Sequence, residues 1–317
     1  MTGHHPTVAT AEQIAELRRM LGGSDGEVAR QLLKGGEWGL DDATCRRWIL
    51  ARKGNLHDAA RDLTAHAAWR AAFVPKGRIH EDEITDDLAQ NKSFLPGYCK
   101  DGRPLCIVVV NRHKMNDAES SKRCIAYALD CAVLMGQRGP LGAAWDGKMS
   151  GIFDLRGLKM SNCDFATLRN VFDLLQHHYP ERLEQLWLYC APTIFFALWK
   201  LVYPFIDPVT REKVKFVYEK DAERDFKQGF DLDVLPKEIL SCGTGRWVTL
   251  EQRYSQLLAD VAAEAQQAQH APAPASDEAG EVGGAGARVV AGPPPMEGKA
   301  EGGAQLRPEP AAVEVMA

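Results

Sequence analysis

The segment Ile194 to Phe205 constrains the fold more than any other, because almost every side chain in it is apolar and Lys200 is its only charge. A helix on a protein surface normally carries one apolar stripe, whereas this segment is apolar nearly all round. Three structures fit such a segment: a buried core helix, a membrane-spanning helix, and a mobile helix that closes an apolar cavity and meets a membrane when it opens.

The membrane-spanning structure is the least favoured of the three. A span needs about 20 uninterrupted apolar residues, and Pro192, Lys200 and Pro204 interrupt this segment. The residues of the segment favour the buried helix over the mobile helix, and the rest of the chain has to decide between these two.

Composition predicts a globular protein of the cytoplasm. The 317-residue chain is 45% hydrophobic, which is enough for one large core or two smaller ones. Its first residues contain no basic region followed by an apolar region, and no glycine at the second position, so neither secretion nor myristoylation is indicated. Eight cysteines occur without a C-x-x-C pair, which predicts reduced and mostly buried thiols rather than a zinc site or a disulfide framework.

The charge distribution argues against a nucleic-acid partner. The formal charge of −5 is concentrated at the C-terminus, since residues 255–317 hold nine acids and three bases, while residues 1–254 hold 34 acids and 35 bases. A nucleic-acid-binding surface needs a strongly basic field, which this chain does not have.

Helices and strands alternate along most of the chain. Three amphipathic helices are predicted within the first 75 residues, and a C-terminal helix precedes an acidic, Ala-, Gly- and Pro-rich stretch that should be disordered. Between them, helices separate short β-prone runs, which predicts an α/β fold with a mixed, largely parallel sheet and helices packed on it. The predicted strands are 105–110, 150–155, 186–190 and 214–218.

Recognisable catalytic signatures are missing from the sequence. It contains no G-x-S-x-G elbow, no phosphate-binding G-x-x-x-x-G-K-[ST] and no H-E-x-x-H. The pair His177-His178 lacks a carboxylate or thiol partner at metal-ligand spacing, and adjacent residues point about 100° apart on a helix. The sequence therefore predicts that the protein is not an enzyme and that it uses no metal and no cofactor.

Several motifs occur in an order that resembles the CRAL-TRIO family, and most closely its phosphatidylinositol/phosphatidylcholine transfer proteins. The resemblance covers about residues 40 to 245, and its most specific parts are Y-P-E-R and P-F-I-D-P-V-T-x-x-K. The motifs are Trp48-Ile49-Leu50-Ala51-Arg52-Lys53, Asp101-Gly102-Arg103-Pro104, Asp154-Leu155-Arg156-Gly157, Tyr179-Pro180-Glu181-Arg182, Ala191-Pro192, and Phe205-Ile206-Asp207-Pro208-Val209-Thr210 with Lys213.

The resemblance implies a division of the chain into four parts. A helical N-terminal lobe over residues 1–80 is followed by a CRAL-TRIO lipid-binding domain over 81–250, a C-terminal helix over 251–269 and a disordered acidic tail over 270–317. The sheet of the second part would floor an apolar lipid pocket, and residues 193–205 would form the gate over it, which favours the mobile helix of the three structures above. The implied gate and pocket residues are Phe195, Phe196, Leu198, Trp199, Val202 and Phe205.

The resemblance also implies a phosphoinositide headgroup site. Its residues would be Arg52, Lys53, Glu181, Thr210 and Lys213. Cationic donors suit a phosphodiester, a hydroxyl adds a hydrogen bond, and a carboxylate accepts from inositol hydroxyls while it orients a lysine. Each residue also has a structural alternative: the two bases fit the end of a helix dipole, the acid a surface turn, and the threonine a helix cap.

The sequence differs from the family that it resembles at the positions that hold phosphatidylcholine. Met149, Gly151 and Cys106 stand where relatives place hydroxyl residues and a tyrosine. A buried phosphate without donors is costly, so phosphatidylcholine is disfavoured as a ligand. The pocket would accept phosphatidylinositol alone, or pair it with a less polar lipid such as a sterol, an isoprenoid or a tocopherol-like molecule.

The resulting expectation is a lipid-binding and transfer protein that associates peripherally with membranes. It would exchange a phosphatidylinositol-type lipid with a membrane or present it to a lipid kinase. The alternative from another class is a lipid-regulated scaffold whose C-terminal tail recruits a protein partner. If residues 193–205 are a gate, Lys200 should lie on its membrane-facing or solvent side.

Overall fold

The computed structural model describes residues 8–206 and 208–270, and these residues belong to one compact unit. The predicted tail beyond His270 lies outside the described residues. The boundary near residue 80 between an N-terminal lobe and a lipid-binding domain stays a prediction.

Four helices open the chain, where three were predicted. Thr10 caps the first by accepting the N–H of Gln13, whose side chain in turn accepts the N–H of Thr10. Asp41 caps the third by accepting the N–H of Thr44. The second helix was missed because Gly26, at its N-cap, supplies no side-chain signal. The helices are α1 (Ala11–Met20), α2 (Glu27–Lys34), α3 (Asp42–Ala51) and α4 (Leu56–Phe73).

A five-stranded sheet follows, and its strands lie side by side in chain order. The first strand runs antiparallel to the second, and the remaining neighbours are parallel, so the prediction of a mixed, largely parallel sheet is confirmed. The first strand was missed because it contains Pro96 and Gly97, which an edge strand tolerates beside a register shift. The strands are β1 (Ser93–Tyr98), β2 (Pro104–Val109), β3 (Met149–Asp154), β4 (Leu183–Tyr189) and β5 (Val214–Val217).

Helices connect and cover the strands. Asp117 caps the longest connecting helix by accepting the N–H of Ser120. That helix packs on β2 and β3, and the next helix packs on it. The helices are α5 (Thr85–Ala89), α6 (Ala118–Gln137), α7 (Phe165–His178), α8 (Thr193–Val202), α9 (Pro208–Glu212), α10 (Ala222–Gly229) and α11 (Leu250–His270).

One side of the sheet is closed off from solvent. Its side chains, called here the sealed face, are between 0% and 6% exposed. They pack against apolar residues from α10 and the segment that follows it, among them Phe226, Phe230, Leu235 and Ile239. The sealed face consists of Leu105, Ile107, Val109, Ile152, Trp187, Tyr189 and Val217.

The opposite side of the same strands is apolar but only half-buried. The register places Cys106 beside Gly151 and Leu186, and Val108 beside Phe153 and Leu188, so these residues share one side of the sheet. Leu188 is buried, whereas the residues called here the open face keep part of their surface accessible. The open face consists of Cys106, Val108, Phe153, Leu186, Val214 and Phe216. The continuous apolar run of β2 is therefore fully buried on one side alone.

Candidate functional site

The apolar segment that opened the sequence analysis forms α8 and a short 3-10 turn after it. Strand β4 ends at Tyr189, so the predicted strand 186–190 is one residue too long at this end, because Cys190 has a positive φ of 51°. Its N–H still donates to the carbonyl of Val217 at 2.8 Å. The helix then begins after Pro192, and Tyr203–Phe205 continue it as a 3-10 turn.

One side of α8 lies against the open face. Ile194, Phe195, Leu198 and Trp199 pack on a cluster that contains Leu188. Their spacing of three to five residues places them on one side of a helix. Four of the six predicted gate residues are therefore in or beside this contact, since Phe196 stacks on Phe216 with ring centroids 5.6 Å apart.

Aromatic rings surround Phe216, which ends the open face at β5. The ring centroids of Phe195 and Trp199 lie 6.3 Å and 5.7 Å from that of Phe216, both edge-on. Edge-to-face ring pairs stabilise by about 0.5–1.5 kcal/mol beyond simple burial. Val202 is half-buried, and the side chain of Phe205 lies outside the described part of the chain.

The other side of α8 faces outward. Thr193, Ala197 and Lys200 are exposed, and Tyr203 is 42% exposed. The prediction that Lys200 lies on the solvent or membrane side is confirmed. In the part of the chain that the structure describes, no helix has both the length and the apolarity needed to cross a bilayer.

Arg211 from α9 holds the end of this segment. Its Nε donates to the carbonyl of Ile206 at 2.7 Å, and its Nη2 donates to the carbonyl of Tyr203 at 3.0 Å. The guanidinium also lies 4.0 Å from the centre of the Tyr203 ring. A cation at carbonyls that end a helix is favourable, so Arg211 fixes where the segment stops.

Three of the five predicted headgroup residues come together. Lys213 Nζ lies 3.8 Å from Glu181 Oε2, and the two side chains are 17% and 32% exposed. Thr210 lies one turn before Lys213, whose N–H donates to the Thr210 carbonyl at 3.1 Å. The Lys213 carbonyl accepts the N–H of Leu186 at 2.8 Å, which ties this group to the start of the open face.

Arg52 and Lys53 lie at the end of α3, and the contacts of Arg52 stay within its own helical region. Arg52 Nε donates to Asp62 at 2.5 Å, and its guanidinium lies 5.7 Å from the centre of the Trp48 ring. Lys53 is exposed. The structure thus pairs Glu181 with Lys213 and pairs Arg52 with Asp62, and no described contact joins the two groups.

Backbone strain singles out two of the predicted headgroup residues. In residues 8–206 and 208–270, four residues other than glycine have a positive φ, and Lys53 (55°) and Glu181 (56°) are two of them. Side chains with a Cβ rarely adopt this conformation, and strain of this kind concentrates at functional sites. Lys53 lies just after α3, where helices commonly end in this conformation, and Glu181 lies three residues after α7.

A buried polar cluster next to the turn that carries Glu181 was not predicted from the sequence. Arg70, Asp130 and Tyr179 bond to one another there, and Arg47 and Arg182 lie close by. Burial and the charge of Arg47 lower the pKa of Arg182 to about 9. The available signal was a charged residue at a position where the helix turns toward the core. Arg70 is buried in α4, and Asp130 is half-buried in α6.

The three positions that depart from phosphatidylcholine-binding relatives lie at or beside the open face. Met149 is buried, Cys106 is half-buried, and burial raises the pKa of the Cys106 thiol to about 12. A Cβ on Gly151 would lie 3.3 Å from Cδ1 of Leu186. These groups offer neither charge nor strong donors to a phosphate.

The histidine pair at the end of α7 is engaged within the protein. His178 stacks on Trp69 with ring centroids 3.6 Å apart, and its Nδ1 lies 3.2 Å from Nδ1 of His66. His177 lies 3.1 Å from Asp173. Over the described ranges, no three His, Cys, Asp or Glu side chains are grouped as a metal site would require.

A separate cavity of about 740 Å³ lies between β1, the end of α6 and α11. Arg138, Arg253, Asp260 and Glu264 are among its lining residues. This polar lining does not suit acyl chains, and none of the lining residues belongs to α8 or to the open face.

The geometry of sheet, open face and covering helix agrees with comparisons to known proteins. A family model described as the CRAL/TRIO domain matches residues 88–239, which span all five strands, β1 to β5, together with α8. Residues 88–239 therefore match a CRAL/TRIO domain, which supports the resemblance drawn from the motifs.

Curated relatives carry the same domain. A CRAL-TRIO domain-containing protein of Schizosaccharomyces pombe is 28% identical over 208 residues, which are 62% of this chain and 45% of the relative. A phosphatidylinositol transfer protein of Eremothecium gossypii is 24% identical, over 74% of this chain and 55% of the relative. The chain spans about half the length of these two relatives. The SEC14 cytosolic factor of Kluyveromyces lactis is 27% identical, over 63% of this chain and 70% of the relative.

A solved structure shares the fold. The crystal structure of Sfh5 superposes with a TM-score of 0.50 at 16% identity, and covers 81% of this chain and 99% of that one. The α/β fold predicted from the sequence is confirmed.

Proposed function

We propose that this protein binds a phosphatidylinositol-type lipid, with its acyl chains between the open face and α8 and its headgroup at Glu181, Thr210 and Lys213, to which the exposed Lys53 adds a second cation. The observation that carries the proposal is the asymmetry of the sheet. An apolar side of a central sheet, covered by helices and still half-accessible, is the setting in which a chain-like apolar ligand fits.

Binding and exchange need no covalent chemistry. Removing acyl chains from water contributes about 25 cal/mol per Å² of apolar area. Since the chains already avoid water in a bilayer, the net free energy of exchange with a membrane is small, and the lipid can be released again. The relatives named as phosphatidylinositol transfer proteins support this activity.

The outward side of α8 is proposed to meet the membrane. Tyr203, in the turn that follows α8, is 42% exposed, and Lys200 adds a cation that suits an anionic lipid surface. The protein would associate with membranes peripherally from the cytoplasm and deliver its lipid to the bilayer or to a lipid kinase. The tail beyond His270 would recruit a protein partner if the domain serves as a scaffold.

The test is transfer of labelled phosphatidylinositol between two vesicle populations. The variant Lys53→Ala/Lys213→Ala should reduce the transfer rate by about tenfold, because charge-assisted bonds to the phosphodiester are lost. Lys215→Ala is the control, since Lys215 is an exposed lysine of β5 that lies beside Trp187 of the sealed face.

The outcomes separate the candidate roles. Equal transfer by the double variant and the control would refute the headgroup assignment. Stoichiometric binding without acceleration of exchange would support the scaffold role instead of the transfer role.

A second, less polar ligand is also supported by one observation. Cys106, Met149 and Gly151 give this part of the site an apolar surface without phosphate donors. We therefore expect phosphatidylcholine to be a poor ligand, and a sterol, isoprenoid or tocopherol-like molecule to compete for the same space. Mass spectrometry of lipid extracted from the purified protein would identify it.

A further inference from the structure

Glu181 holds a backbone conformation that its own side chain does not favour. Its φ of 56° lies in the region that glycine prefers, so the neighbouring structure must maintain it. The contacts of the residues on either side of Glu181 show how this is done.

The hydroxyl of Tyr179 is hydrogen-bonded to an ion pair that is largely buried. Its hydroxyl accepts a hydrogen bond from Arg70 Nη1 at 2.8 Å and donates one to Asp130 Oδ1 at 2.8 Å. Arg70 Nη2 donates to Asp130 Oδ2 at 2.6 Å. Arg70 and Tyr179 are 2% and 4% exposed, so these charge-assisted bonds are shielded from water.

Arg70 is itself fixed from the opposite side. Its Nε donates to the carbonyl of Gly35 at 2.8 Å. A Cβ on Gly35 would lie 2.4 Å from Cγ of Arg70, so the close approach depends on glycine at this position. The network therefore joins α4, the loop before α3, α6 and the turn that carries Glu181.

The residues that flank Glu181 are also held. Arg47 Nη1 donates to the carbonyl of Pro180 at 3.4 Å. Arg182 Nη1 donates to the carbonyl of Gly147 at 2.9 Å, and the Arg182 carbonyl accepts the N–H of Met149 at 2.8 Å. Glu181 alone turns outward, toward Lys213.

We propose that Arg70 and Asp130 are positioning residues of the headgroup site, which act through Tyr179 to keep Glu181 facing Lys213. Neither residue touches the lipid. They determine how well the site discriminates an inositol headgroup, while the open face determines how well it holds acyl chains. This inference rests on the proposed function.

A positioning role and a structural role differ in what they change. Loss of the Tyr179 hydroxyl leaves the Arg70–Asp130 pair in place and frees the turn, so headgroup discrimination should fall while acyl-chain binding persists. A structural role would lower thermal stability and reduce the binding of all ligands together.

In the experiment, the full-length protein takes up lipid from vesicles that contain both phosphatidylinositol and diacylglycerol with the same acyl chains. The ratio of phosphatidylinositol to diacylglycerol bound to the protein is then measured. We expect Tyr179→Phe to lower this ratio about threefold to tenfold, as is typical of coupling through a packed network. Uptake of diacylglycerol from vesicles that contain only that lipid and carrier lipid should not change.

Tyr127→Phe is the matched control. Tyr127 is a buried tyrosine of α6 whose hydroxyl donates to Glu81 at 2.8 Å and takes no part in the bonds among Arg70, Asp130 and Tyr179. It should lower the melting temperature by an amount similar to Tyr179→Phe and leave the ratio unchanged. If Tyr179→Phe does not fold, Arg70→Lys keeps the charge, loses the forked pair of donors, and should lower the ratio in the same way.

The two proposals fail in different ways. A wild-type protein that takes up both lipids equally would overturn the proposed headgroup site and this inference with it. A wild-type preference for phosphatidylinositol that survives in Tyr179→Phe and Arg70→Lys, or that falls equally in Tyr127→Phe, would overturn the positioning role alone.

Discussion

The two sides of the sheet differ in how much of their surface solvent can reach. On the sealed face, Ile107, Ile152 and Trp187 stand in one row across three strands, and their exposure does not exceed 6%. On the open face, Val108 and Phe153 are immediate chain neighbours of these residues and remain half-accessible. Because the strands are shared, the difference comes from what covers each side.

The covers differ in how they are attached. Both sides carry edge-on aromatic pairs, but the rings are closer on the sealed face, where Trp187 and Phe230 lie 4.7 Å apart, than on the open face, where Phe195 and Phe216 lie 6.3 Å apart. The open face is covered in part by α8, which is joined to the sheet through Cys190 at a positive φ and ends at the Arg211 contacts. A cover with strained or few attachments is the one that can move at low cost in free energy.

The largest expected effect comes from removing a ring beneath the sealed face. Phe226→Ala should lower the free energy of unfolding by about 3–5 kcal/mol, because it leaves a cavity in a fully packed region. Phe153→Ala on the open face should cost below about 2 kcal/mol, since part of that ring is already accessible. Urea denaturation measures both, and equal losses would break the comparison.

Acid should loosen α7, which packs on α4 and α6, before the sealed face. Burial, together with the positive charges of His66 and Lys122, lowers the pKa of His178 in α7 to about 3. The unfolded chain, with a pKa near 6.5, binds a proton between about pH 3 and pH 6.5 that the folded protein excludes. Stability therefore falls on acidification through this window, by up to about 1.4 kcal/mol per pH unit.

The variant His178→Phe tests whether His178 causes this loss of stability in acid. It keeps an aromatic ring beside Trp69 and removes the titrating group. The slope of unfolding free energy against pH should then become flatter between pH 4 and pH 6. Hydrogen exchange at pH 4 should be faster in α7 than in the sealed-face strands, and an unchanged slope in the variant would assign the acid sensitivity to other groups.

Filling the open face should remove ligand while leaving the fold intact. In Gly151→Val the new side chain would meet the end of Leu186, a flexible side chain that can shift. Stability should change by less than about 1 kcal/mol, and bound lipid should fall about tenfold, which corresponds to about 1.4 kcal/mol of binding. Lipid recovered at the wild-type level in mass spectrometry would show that ligands bind elsewhere.

The smallest expected effect comes from backbone strain. Lys53 and Glu181, which belong to the proposed headgroup site, have a positive φ, and no residue of the sealed face has one. Lys53→Gly relieves a positive φ and should be about 1 kcal/mol more stable than Lys53→Ala, which keeps the strain. Both variants lose the same charge and should lose phosphatidylinositol binding equally. A glycine variant no more stable than the alanine variant would show that the conformation at Lys53 costs little.

The sequence alone determined the fold class and most element positions. Alternating β-prone runs and amphipathic helices gave four of the five strands, because periodicity and capping residues such as Thr10, Asp41 and Asp117 act over a few neighbouring residues. The strand with Pro96 and the helix after Gly26 escaped because their local signals are weak and tertiary packing outweighs them. The motifs also indicated the resemblance to the CRAL-TRIO domain that residues 88–239 match.

The tertiary structure decided which side of each strand is sealed and which residues meet. A continuous apolar run such as residues 105–109 contains no information about what will cover either side, since that depends on helices far along the chain. In the same way, Arg70, Asp130 and Tyr179 are separated by 60 and 49 residues and become partners only through packing. The sequence named Glu181, and the folded chain shows what holds it in place.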